Sequence, residues 1–166
     1  MIANHQLETI TKFIESIGLR CNAGEVKHDS FLPGIDIVKG CIVYDKKKVI
    51  SPGDLLHEAG HLAVLLPEHR QDVTSPDVNG DLEAGGAEMA AIAWSWAAAK
   101  YLEIEPEVVF HDAGYHGDSL NIIENFSAGR YFGVSLLQWF GLTKERCGNV
   151  GDDTVVFPCM KCWLRY

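Results

Sequence analysis

Between Ser51 and Pro67 an apolar run is interrupted by three polar side chains at fixed intervals, His57, Glu58 and His61. This segment constrains the chain more than any other, because it implies both a helix and a chemistry. Ser51 is placed to cap, Pro52 suits the first helical position, and Asp54 stands third, as in a capping box. Pro67 closes the run. On such a helix residues four apart share a face, so both imidazoles aim at one ion about 2 Å from each. Glu58 is set about 100° round the helix and reaches an ion-held water without ligating the ion. A zinc ion brings that water's pKa towards about 7, and a carboxylate beside it accepts the proton as a polarised carbonyl is attacked. The bland alternative is a pair of buried histidines satisfied by hydrogen bonds. The small residues Ala59 and Gly60 weigh against it, since they leave room for another backbone or a substrate.

A third ligand must come from elsewhere in the chain. His69, Asp81, Glu83 and Glu88 are the candidates. His69 would need the loop after Pro67 to fold straight back. Acids at 81 and 83 have an ordinary explanation at the start of a helix. Glu88 stands out, embedded between Gly85-Gly86-Ala87 and Met89-Ala90-Ala91-Ile92, where a lone carboxylate is costly unless a cation pairs it.

Around this segment the pattern predicts an α+β fold: a mainly helical domain with a small antiparallel sheet ahead of the His-Glu-x-x-His helix. Leu7, Ile10, Phe13, Ile14 and Ile17 form one helical face ending at Gly18. Ile35–Val38, Cys41–Tyr44 and the shorter Val49-Ile50 read as two or three antiparallel strands, with Lys46-Lys47-Lys48 as a solvated hairpin turn. Residues 68–80 read as loop. A second long helix is expected from Asp81 or Ala87 to Leu102, then short ones begun by Pro106 and Asp118, and a last over Val134–Phe140. Trp94, Trp96, Trp139, Trp163, Phe157 and Tyr166 are expected in packing.

Length and charge narrow the function. The 166 residues suit one domain over 1–166 with its own core. A net charge of −9 with a single basic run argues against nucleic acid as partner. No apolar stretch reaches the length of a membrane span, the opening residues resemble no targeting signal, and a cytoplasmic location is expected. Five scattered cysteines suit reduced thiols, and Cys159-x-x-Cys162 is half a zinc site at most.

His57-Glu58-Ala59-Gly60-His61, followed by Glu88 in a Glu-x-x-x-aliphatic-Ala helix, resembles the ImmA/IrrE family of zinc metallopeptidases over about residues 35–95. The resemblance implies a zincin-like domain, one Zn2+ held by His57, His61 and Glu88, and peptide or protein substrates. Ile92 and Pro67 stand where thermolysin-like and metzincin patterns want Asp and His. The resulting expectation is a zinc-dependent hydrolase, a peptidase, with Glu58 as general base. The alternative is a non-catalytic zinc-binding protein-interaction domain. The polar cluster His111-Asp112-Ala113-Gly114-Tyr115-His116 offers catalytic donors in His111, Tyr115 and His116, for an oxyanion opposite the metal. Arg130 and Tyr131 are weaker candidates of the same kind.

Overall fold

The apolar face of the first segment does form a helix, α1 (Ile2–Ser16), burying Leu7, Ile10, Phe13 and Ile14 and ending where Gly18 takes a φ of +97°. The computed structural model describes residues 2–27, 30, 32–115, 117–145 and 154–166.

Three short strands follow: β1 (Arg20–Ala23), β2 (Ile35–Val38) and β3 (Cys41–Tyr44), in the order β1-β3-β2. Lys39 and Gly40, at φ +48° and +66°, form the two-residue turn that joins β2 antiparallel to β3. The sheet is mixed rather than antiparallel, because β1 pairs in parallel with β3 and Val49-Ile50 joins no strand. The cause is local. Asp45 Oδ1 accepts the Lys47 N–H, and the Asp45 carbonyl accepts those of Lys48 and Val49, which turns the chain out of the sheet. The lysine run is therefore a turn but not a hairpin. Val73–Ser75 lies along the open edge of β2: the Ser75 N–H donates to the Ile37 carbonyl (2.9 Å), and the Ile37 N–H to Ser75 Oγ (3.0 Å).

The motif helix is α2 (Asp54–Ala63). Its N-cap is Gly53 rather than Ser51; the Ser51 hydroxyl donates to the Val108 carbonyl, and its oxygen accepts the Gly53 N–H (3.4 Å). Gly53 is required where the helix enters against α5 (Pro106–Val109), since a Cβ there would lie 2.1 Å from the Val108 oxygen. Past Ala63 the helix leaves unpaired carbonyls, and two arginines fill them. Arg70, on a short α3 (Pro67–Arg70) where loop was expected, donates to the Leu62 and Leu65 carbonyls. Arg165 donates to those of Ala63 and Val64 and pairs with Asp81 at 2.9 Å.

The central helix α4 (Ala84–Tyr101) is apolar almost all round, as a helix enclosed by others must be. Against it pack α2, α5, α7 (Ser119–Ser127) and α8 (Val134–Trp139), with α6 (Asp112–Tyr115) on α7 and α2, and one continuous core joins helices and sheet. Trp94 and Trp96 sit in that core, and the Trp94 indole N–H donates to the Trp163 carbonyl (2.9 Å). Two expected packing residues do not pack: Trp139 is 75% exposed and Tyr166 85%. The short α8 turns Val134 and Leu137 inward, leaving position 139 on its outer side. Cys21, Cys41, Cys159 and Cys162 are free thiols; Cys147 lies outside the described residues. No described helix is long and apolar enough to cross a membrane.

Candidate metal centre

The centre is built where α2 crosses α4. Gly60 lets them approach: a Cβ at that position would stand 2.9 Å from the Ala91 oxygen and 3.2 Å from its Cα. One turn before this contact, His57 leaves α2 and Glu88 leaves α4, so the close crossing brings the two side chains to one point. His61, one residue past the crossing, joins them. The Nε2 atoms of His57 and His61 are 3.1 Å apart, and Glu88 Oε2 lies 3.5 Å from the first and 3.2 Å from the second. Their ligating atoms all fall within 4.8 Å of one another, close enough to hold a metal ion.

The donor set fits that reading. Ligand atoms about 2.0–2.1 Å from one tetrahedral ion stand about 3.3–3.4 Å apart, near the three spacings found here. The imidazole rings meet edge-on, 86° between planes, with both Nε2 atoms turned to the carboxylate. Burial alone would raise the Glu88 carboxyl, but hydrogen bonds and charge from His57 and His61 hold it well below the usual carboxylate range. Its side chain remains 45% exposed, so the centre opens to solvent on the α4 side. Of the other candidate ligands, Asp81 is held by Arg165, Glu83 is exposed at the entry to α4, and His69 is exposed on α3.

Glu58 is only 5% exposed. It borders a small gap between α2 and β2 lined by Leu32, Ile35, Asp36 and Ser75. Burial pushes its carboxyl up to about 7, with His61 opposing and Glu88, Asp54 and Asp36 adding to the rise. A carboxyl poised there is ionised or protonated at little cost near neutral pH, which suits a group that must accept and release a proton.

The segment after α5 reaches α2 in two places. His111 Nε2 lies 2.6 Å from Asp54 Oδ1, and the Tyr115 hydroxyl 2.9 Å from His57 Nδ1. Both residues were expected as oxyanion donors opposite the metal, and both contact α2 here. Asp54, read as a cap, spends its carboxylate on His111 and not on the helix N-terminus. Sequence reasoning missed Asp54 as a neighbour of the centre, although it stands one turn before His57 on the same helix face. His116 lies outside the described residues. Arg130 donates to Asn125 Oδ1 (2.8 Å), and Tyr131 packs on Phe126 and Phe157, both remote in role from the three ligands.

No family model, curated protein or solved structure matches the chain.

Proposed function

We propose that this protein is a zinc-dependent hydrolase acting on peptides or proteins, related to the ImmA/IrrE metallopeptidases by its His-Glu-x-x-His helix and downstream glutamate. The observation that carries the proposal is the convergence of His57, His61 and Glu88 with Glu58 on the adjoining helix position, buried and poised near neutrality. Among the described residues, His57, His61 and Glu88 would hold the ion, a three-residue donor set of the kind catalytic zinc sites use, with Glu88 45% exposed on the solvent side. When bound, zinc supplies a Lewis acid that polarises a carbonyl and acidifies water. Glu58 takes a proton from the attacking water as the new C–O bond forms. It returns that proton to the amide nitrogen as the C–N bond breaks, so the carboxylate ends as it began. A carboxyl near 7 can do both within one turnover.

The test is digestion of a defined peptide mixture, followed by mass spectrometry, with zinc-loaded wild type and Glu58→Gln. Cleavage by wild type and at least a hundred-fold loss in the variant, with zinc content unchanged, is expected. Equal cleavage by both would remove Glu58 from the mechanism.

A further inference from the structure

A ligating histidine is directional only if its second nitrogen is held, because the ring can otherwise rotate or take the wrong tautomer. The two histidines differ sharply in this respect. His61 Nδ1 is buried and has no hydrogen-bond partner among the described residues. His57 Nδ1 has one, the Tyr115 hydroxyl at 2.9 Å, delivered from α6, 58 positions along the chain. We propose that Tyr115 is the positioning residue of the metal centre, its oxygen accepting the Nδ1–H of His57 and so committing Nε2 to the ion. The inference rests on the metal reading above.

Three observations support it. Once Nε2 gives its lone pair to an ion, the neutral ring carries its only proton on Nδ1, and an acceptor must face it there. The Tyr115 oxygen occupies that place. Secondly, the tyrosine is itself fixed: its ring packs edge-on against His57 (5.7 Å, 85°) and tilted against Phe110 (5.4 Å), a residue 1% exposed. Thirdly, the chain entering α6 is tied to α2 as well, four residues before Tyr115, by His111 on Asp54. Asp54 and His57 are three apart on α2, so the two contacts grip one face of its first turn.

Tyr115→Phe removes one oxygen and keeps the ring packing, so it tests the hydrogen bond without emptying the site. Zinc affinity would be measured by competition with a chromophoric chelator for wild type, Tyr115→Phe and the control Tyr101→Phe, whose ring lies on α4's far end. In parallel, the imidazole nitrogens of the zinc-loaded proteins would be read by 15N NMR. We expect the control to match wild type and Tyr115→Phe to bind zinc about ten- to hundred-fold more weakly. The His57 Nδ1 proton should be visible in wild type and lost to fast exchange in the variant. An affinity within twofold of wild type, with the Nδ1 proton still protected, would overturn the positioning role. Failure of wild type itself to bind zinc would overturn the metal reading beneath it.

Discussion

A carboxylate that is 5% exposed, with no donor among the causes that set its ionisation, is comfortable only when protonated or beside a cation. Glu58 is in that position, and the consequence is measurable in the metal-free protein. In the unfolded chain its proton leaves near the ordinary value of 4.5; in the folded chain it leaves near 7. The folded state therefore binds more protons between those values, and this residue's contribution to stability falls as pH rises from about 4.5 to 7, then levels off. Metal-free Glu58→Gln should exceed metal-free wild type by roughly 1–3 kcal/mol in urea melts near pH 8, and match it near pH 4. Equal stability at pH 8 would mean that the carboxylate is better solvated than its surroundings indicate. The same destabilising charge is what a dication at His57, His61 and Glu88 would relieve, so a group unfavourable to folding is well placed for chemistry.

At the scale of elements, the centre depends on how closely α2 and α4 cross. Gly60 sits at the contact, and its absent side chain is what admits the Ala91 backbone. Gly60→Val should cost about 2–3 kcal/mol by overpacking, roughly 5–10 °C in melting temperature, and weaken metal binding by spreading His57 and His61 from Glu88. Differential scanning calorimetry and chelator competition would check both halves; a stable variant with unchanged affinity would show that the crossing tolerates separation. Much of this arrangement was legible in the sequence. The helical periods of α1 and α2 are long enough to read, α4 shows as a long alanine-rich apolar run, and Glu88 betrays itself as a lone acid within it. Elsewhere the signal was too short or too distant. Strand β1 has one buried residue, Cys21, and so no alternation; α3 and α6 are four residues each, shorter than any periodicity. Asp54 looks like a cap because acids favour helix starts, and the partner that claims it, His111, lies 57 positions away.

Over the whole molecule, distant segments brace the same helix. The terminal residues turn back so that Trp163 meets Phe13 and Trp94, while Arg165 fills α2's last carbonyls beside Arg70. At the other end of α2, α5 and α6 press on Gly53, Asp54 and His57. Both ends of one ten-residue helix are thus fixed by contacts from more than fifty positions away, which is how a loosely distributed set of residues can keep two imidazoles aimed at one point. Whether that point holds a metal is settled most directly by elemental analysis of protein made in zinc-replete medium, for wild type and Glu88→Ala, each confirmed folded by circular dichroism. The account expects close to one zinc per wild-type chain and a sharp fall in the folded variant. Zinc-free wild type, or a variant that keeps its full complement, would contradict it.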